Sequence, residues 1–207
     1  MAGGRFITLE GGEGAGKTTQ VDLLQQALSA AGVRVLRTRE PGGAPGAELL
    51  RGILLGGTID WSAQAETLLH FAARAEHVAK TIRPALQAGI WIVCDRFFDS
   101  TMAYQGYGQG ADRGFIQAQT ELLGIRPDLT LVLDVPEAVA AERLRRRGGD
   151  TDRYERLDAG FHARVRAGFR AIAGADPDRC VMLDASAGIQ IVHSRIMEVL
   201  RSRLAPF

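Results

Sequence analysis

A chain of 207 residues that is 46% hydrophobic and 24% charged holds enough material for one well-cored α/β domain and too little for two joined by a long linker. Its formal net charge of +1 supplies no global field toward nucleic acid or a membrane, and neither an apolar run of spanning length nor a basic-then-apolar leader is found. The two cysteines, Cys94 and Cys180, lie in or beside short apolar runs and read as buried free thiols, not as a disulfide or metal site, so a cytoplasmic protein is expected.

Residues 5–10 are apolar and β-branched before a run of glycines, the pattern of a buried strand. Residues 17–31 carry Val21, Leu24 and Leu28 at helical spacing and stop at Gly32. Residues 33–38 are predicted as a second strand, and 90–94, 129–135 and 181–183 as three more. Helical patterns fill 63–79, 115–123, 136–147, 160–173 and 189–204. Strands that alternate with helices predict a single α/β domain over residues 1–207, built on a mainly parallel five-stranded sheet with helices on both faces. Ligands of such sheets sit beyond the carboxyl ends of the strands. Two segments rich in glycine or charge are expected to be mobile: residues 38–46, and a short lid at about 145–156.

Gly11-Gly12-Glu13-Gly14-Ala15-Gly16-Lys17-Thr18, followed by Thr19, matches G-x-x-x-x-G-K-[ST] between a predicted strand and a predicted helix. Glycines allow backbone N–H groups to converge on phosphates, and the helix N-terminus adds its positive end. Lys17, one of only two lysines beside Lys80, is expected to bridge the β- and γ-phosphates of ATP, with the Thr18 hydroxyl on Mg²⁺. No Asn-Lys-x-Asp is present to read guanine, and the chain is short for a motor or helicase. A small kinase remains.

Several motifs then fall in order: residues 6–19 around the phosphate loop, Thr38-Arg39-Glu40-Pro41-Gly42-Gly43, Asp95-Arg96-Phe97, Ser100-Thr101-Met102-Ala103-Tyr104-Gln105-Gly106, Arg126-Pro127-Asp128, and Leu133-Asp134-Val135. Together they resemble the bacterial thymidylate kinases over nearly the whole chain. The resemblance implies a P-loop kinase fold, ATP-dependent phosphorylation of dTMP to dTDP on the route to dTTP, and a homodimer packed through helices.

Arg39 and Arg96 each follow a predicted strand, where a guanidinium can clamp a phosphate bidentately. The resemblance makes them the contacts of the dTMP phosphate. Phe71 and Arg74 share one helix face at i and i+3. By residue type alone Phe71 is a core residue, whereas the resemblance implies that it stacks the pyrimidine while Arg74 donates to its O4. Thr101 is expected at the base edge with help from Ser100 or Gln105, and Tyr104 against the sugar. Asp95 is expected to reach Mg²⁺ through water.

None of the variable loop positions Gly12, Glu13, Gly14 and Ala15 is basic, so a transition-state arginine must come from elsewhere. The Asp152-Arg153-Tyr154-Glu155 setting resembles the lid of a thymidylate kinase subclass with its catalytic arginine there. Arg153 is therefore expected to be catalytic, with Arg147 supporting it on the ATP. The resemblance favours Glu13 as a partner of the acceptor sugar 3′-hydroxyl or of a metal-bound water. Asp134 is expected to be structural, residues 184–187 to skirt the adenine, and His70, His77, His162 and His193 to bind no metal. Competing readings are a kinase of deoxynucleosides or dUMP, and an ATP-binding protein that transfers nothing.

Overall fold

The structure, a computed structural model, describes residues 3–57, 59–148, 153–205 and 207. Five strands, β1 (Phe6–Glu10), β2 (Val35–Arg39), β3 (Trp91–Asp95), β4 (Leu129–Asp134) and β5 (Cys180–Asp184), form one parallel sheet in the order β2-β3-β1-β4-β5. The central strand β1 is buried along its whole length. Its neighbours β3 and β4 enter from opposite directions of the winding, so a crevice opens beyond the carboxyl end of β1.

The alternation of side chains along β1 divides the core. Ile7 and Leu9 face a layer made by α1 (Lys17–Ala30) and α9 (Ile189–Leu204), through Val21, Leu24, Leu28, Ile196 and Leu200. Phe6 faces the other layer with Ile92, Cys94, Val78 and Ile82. Beside that layer, α8 (Ala159–Ala175) brings Phe161, Val165 and Phe169 against Val132 and Tyr104. Both thiols are buried and unbridged. Burial pushes the Cys94 thiol well above its usual range and that of Cys180 up to about 12. No helix among the described residues is long and apolar enough to cross a membrane.

The sheet and the flanking helices stand where the periodicity placed them, with β2 two residues later at its start. Three expectations change. Residues 38–46 are not a loose flap: Thr81 Oγ1 donates to the Gly43 carbonyl at 2.7 Å, Gly43 N–H to Glu48 at 2.9 Å and Arg51 to the Pro41 carbonyl at 2.7 Å. The segment leads into an unpredicted helix, α2 (Pro45–Leu55), with Pro45 in its first turn. The helix predicted to end at 79 runs on from α3 (Ala63–His77) through a π-helical stretch, Val78–Ile82, into α4 (Arg83–Gln87). The widened stretch falls just before Pro84, whose missing N–H interrupts the i→i−4 ladder.

Third, the motif segment after β3 is itself helical, as α5 (Phe98–Thr101) and a π-helical stretch, Met102–Gly108. Its small and polar residues carry no periodic signal. Packing on α8 decides it: a Cβ at Gly108 would lie 2.5 Å from the Phe161 ring. The remaining helices are α6 (Arg113–Leu122) and α7 (Glu137–Arg147). Of the expected lid, Gly149, Asp150, Thr151 and Asp152 lie outside the described residues.

Candidate active site

The phosphate loop leaves β1 with Gly11 at φ 138°, where a Cβ would meet the Leu133 carbonyl oxygen at 2.4 Å. Only glycine fits there. Lys17 is buried, and its Nζ donates to the carbonyls of Gly11 at 3.0 Å and Gly12 at 2.8 Å. Burial, then the Arg96 charge, pull its pKa down, while Glu13, Asp95 and Glu10 pull it back up. Thr18 Oγ1 donates to Asp95 Oδ2 at 2.7 Å, so the end of β3 and the start of α1 meet in a hydroxyl–carboxylate pair.

Arg96, directly after β3, has φ 71°. A non-glycine residue in the left-handed region costs about 1–3 kcal/mol and persists only where its surroundings over-determine it. Here the turn folds the guanidinium back across the loop. It donates to the Gly11 carbonyl at 3.0 Å, to Ser100 Oγ at 3.2 Å and to Glu13 Oε1 at 2.6 Å, and lies 4.9 Å over the Tyr104 ring. Tyr104 donates its hydroxyl to the same Glu13 oxygen at 2.7 Å. Burial raises the Glu13 carboxyl, but Arg96, Lys17 and the Tyr104 hydrogen bond outweigh it and hold it down at about 2. Glu10, beneath them, accepts from Phe97 N–H at 2.7 Å and Ser100 Oγ at 2.6 Å. Burial and the neighbouring Asp99 push its carboxyl up to about 8, against the Ser100, Arg96 and Phe97 contributions.

A second set of polar contacts, built around the buried Arg74–Glu40 ion pair, lines the far wall. Arg74 Nε donates to Glu40 Oε2 at 2.6 Å, and Nη2 donates to the Phe97 carbonyl and Thr101 Oγ1, both at 3.1 Å. Its Nη1 is buried with no partner among the described residues. Glu40 Oε1 is bonded to His77 Nδ1 at 3.0 Å, and His77 Nε2 to Thr38 Oγ1 at 2.7 Å. Arg39, half-exposed, donates from Nη2 to both carboxylate oxygens of Glu48, at 3.1 and 3.0 Å.

Two cavities flank the loop. Arg39, Arg74, Asp95, Arg96, Ser100, Thr101, Tyr104 and Gln105 all line the first. The second runs along Gly14, Ala15, Gly16, Thr19, Arg143, Ala185, Ala187 and Ile189. Glu13, Lys17, Thr18 and Arg147 line both. In the second cavity Arg143 bridges α7 to the segment after β5, donating to the Ala185 carbonyl at 2.8 Å and the Ala187 carbonyl at 3.2 Å. That segment is the one expected to skirt the adenine.

Two expected residues are placed otherwise. Phe71 is buried behind the first cavity, its ring 4.9 Å beneath the Arg74 guanidinium, because α3 turns that face into the fold. Arg153 lines neither cavity; its Nη1 donates to the fully buried Glu66 at 2.6 Å. Arg147, expected only to support, sits at the junction and pairs with Glu155 at 2.7 Å. Asp134 lines neither cavity and is held by Arg166 at 2.6 Å and Arg170 at 2.8 Å.

Residues missed in the sequence include Glu10, Glu40, Glu66, His77 and Arg143. Glu40 stood inside a quoted motif, next to Arg39. Arg143 lies at i−4 from Arg147 and so shares its face of α7, a spacing that was there to be read. Nothing local marks Glu66 or His77.

The family model for thymidylate kinase matches residues 9–196. The chain is 53% identical to the thymidylate kinase of Gluconobacter oxydans, covering 99% of this chain and 98% of that one, and 49% identical to that of Caulobacter vibrioides, covering 99% of each. A crystal structure of thymidylate kinase from Ehrlichia chaffeensis superposes with a TM-score of 0.81 at 39% identity, over 96% of this chain and 99% of that one.

Proposed function

This chain belongs to the thymidylate kinase family and catalyses ATP-dependent phosphorylation of dTMP to dTDP; from that premise we propose how its two cavities divide the substrates. The cavity of Arg39, Arg74 and Arg96 takes dTMP, and that of Gly14, Gly16, Arg143 and Ala185 takes ATP. The observation that carries the assignment is their junction: Glu13, Lys17, Thr18 and Arg147 border both, where a phosphoryl group must cross.

Phosphoryl transfer asks the protein for position and for positive charge around the equatorial oxygens. Lys17 supplies one charge by exchanging its loop carbonyls for phosphate oxygens. Arg147 supplies the other from the end of α7. Arg39 and Arg96 hold the acceptor phosphate, with Arg39 releasing Glu48 to do so. The unpartnered Nη1 of Arg74 matches an acceptor such as pyrimidine O4, since a buried donor gains most from a partner. Phe71 backs that guanidinium, and Thr101 and Gln105 border the base. Glu13, ionised by its surroundings, accepts the sugar 3′-hydroxyl through the oxygen that Arg96 and Tyr104 leave unused. Tyr104, beneath Arg96, packs against the sugar.

The paired hydroxyl and carboxylate of Thr18 and Asp95 are hard oxygen donors and fit Mg²⁺, which keeps few protein ligands beside phosphate and water. When bound, the ion offsets charge on the transferred group. The enzyme is further proposed to be a cytoplasmic homodimer that engages neither nucleic acid nor membrane. Exposed Leu49 and Ile53 on α2 and Leu68 on α3 give an apolar surface for helix packing, which sedimentation would test.

The decisive assay mixes the protein with ATP, Mg²⁺ and dTMP. ADP should form only with dTMP, and dTMP should outcompete dCMP and dAMP. Equal turnover of dCMP would overturn the thymine assignment, and ADP formation indifferent to dTMP would overturn the cavity assignment.

A further inference from the structure

We propose that His77 is a positioning residue: it holds one oxygen of Glu40, so that Glu40 grips Arg74 through Nε alone and leaves Nη1 to the pyrimidine. His77 ends α3 and has no exposed surface. Its Nδ1 lies 3.0 Å from Glu40 Oε1, and its Nε2 lies 2.7 Å from Thr38 Oγ1. Glu40 Oε2 accepts from Arg74 Nε at 2.6 Å. The contacts thus run from β2 through the end of α3 to the site. Glu40 and Arg74 line the first cavity, whereas His77 and Thr38 stand behind it.

The donors fix the directions. Glu40, ion-paired with Arg74, can only accept, so His77 donates to it from Nδ1. A guanidinium offers a fork of parallel N–H groups that takes a carboxylate with two bonds. Arg74 does not use its Nε and Nη2 in this way. Nη2 donates instead to the Phe97 carbonyl and Thr101 Oγ1, both at 3.1 Å, because the second carboxylate oxygen is engaged by His77. Nη1 is left without a partner among the described residues. With the Nδ1 donor removed, Glu40 Oε1 becomes a buried acceptor short of a hydrogen bond. The second arm of the fork, Nη2, then offers it one. Closing the fork draws Nη2 off Thr101 and Phe97 and swings Nη1 from the base.

The imidazole is held in one orientation. A Cβ at Gly43 would run into both the ring and Thr38 Oγ1. Thr81, four residues beyond His77, donates from Oγ1 to the Gly43 carbonyl at 2.7 Å. The loop after Arg39 is therefore seated on His77 and Thr81. The inference rests on the proposed reading of Arg74 as the pyrimidine contact.

The test uses two amides that each copy one ring nitrogen. His77→Asn keeps an N–H at the place of Nδ1 and loses the Thr38 contact. His77→Gln keeps the Thr38 contact and loses the donor to Glu40. Steady-state kinetics on the full-length enzyme would compare dTMP with dCMP in both, with Thr38→Val alongside. Loss of one hydrogen bond to a charged group corresponds to about a tenfold change. His77→Gln should raise dTMP KM by about that factor and narrow the dTMP-to-dCMP ratio of kcat/KM to the same extent. kcat at saturating dTMP and ATP KM should hold. His77→Asn and Thr38→Val should keep the wild-type ratio. The proposal is overturned if His77→Gln and His77→Asn give the same ratio, since a residue that only fills space does not distinguish the two amides. It is also overturned if kcat falls with dTMP KM unchanged. Should the His77 variants fold poorly, nitrogen NMR of the histidine-labelled wild type decides: His77 should carry a hydrogen on Nδ1, and a bare Nδ1 ends the proposal. A wild-type enzyme with no preference for dTMP over dCMP would sink the reading of Arg74 itself; a preference that His77→Gln leaves intact would sink the role of His77 alone.

Discussion

The two walls of the site are built from different materials. On the side proposed for dTMP, buried or half-buried carboxylates hold arginines: Glu40 on Arg74, Glu13 on Arg96, Glu66 on Arg153. On the side proposed for ATP, cations rest on backbone: Lys17 on the carbonyls of Gly11 and Gly12, and Arg143 on those of Ala185 and Ala187. A guanidinium fixed by a desolvated carboxylate has one orientation and reads one pattern of acceptors. A backbone cradle grips phosphates, which every nucleoside triphosphate carries. On the proposed division of the cavities, the contrast places selectivity in the acceptor pocket, through side chains held in place by charge, and leaves the donor pocket to secure geometry.

Removing the charge at the junction should have the largest effect. Lys17→Ala is expected to lower kcat by roughly 10² or more, the scale of losing a preorganised charge on the transition state, with a melting temperature close to wild type because glycines shape the loop. Near-normal turnover would remove the junction from the mechanism. Arg147→Ala should also act on kcat, by a factor on the order of 10³, with dTMP KM little changed. If Arg153→Ala reproduces that loss and Arg147→Ala does not, the lid arginine expected from the motif is the donor after all.

On the acceptor wall, Arg74→Met strands Glu40 in the interior. Breaking a buried pair in this way costs about 3–5 kcal/mol, so thermal denaturation should show a clear loss of stability. In the same variant kcat/KM for dTMP should fall while that for dCMP falls less, narrowing the ratio of the two; an unchanged ratio would deny that wall its selectivity. Arg143→Ala is expected to raise ATP KM by a few-fold, on the order of one hydrogen bond, and to leave dTMP KM alone. A comparable rise for dTMP would mean that the two walls are not separable.

The last effect is read in stability, not in rate, and concerns pH. Glu10 has its carboxyl raised from 4.5 to about 8 in the fold. The folded state therefore binds its proton more tightly than the unfolded chain, and this contribution to stability is full below pH 4.5 and fades as pH rises through 8. Glu13, held down at about 2, contributes in the opposite sense, fully above pH 4.5 and less as pH falls toward 2. Glu10→Gln should flatten the alkaline fall in melting temperature and leave the acid limb intact. A variant that follows the wild-type curve to pH 9 would show that Glu10 does not control it.

Much of this was open to reading in the chain itself. Strands of β-branched residues and helices of period 3.6 determine a parallel sheet with two covers, because burial on one face or two writes itself into local pattern. Gly11, Gly16, Lys17 and Thr18 announce a phosphate loop because backbone curvature and charge there are local requirements. The ordered motifs around Arg39, Arg96 and Tyr104 identify the family. Tertiary structure alone decided the partners. Whether Arg153 faces ATP or Glu66 depends on a carboxylate 87 positions away, and whether Phe71 stacks a base or props Arg74 depends on how α3 rotates against Phe97. Glu66 and His77 carry no pattern, since a buried polar residue is satisfied by whatever the fold brings to it. The helical form of residues 98–108 likewise follows from contact with α8, not from its own sequence. Local composition encodes backbone geometry; the pairing of buried charges is a property of the assembled fold.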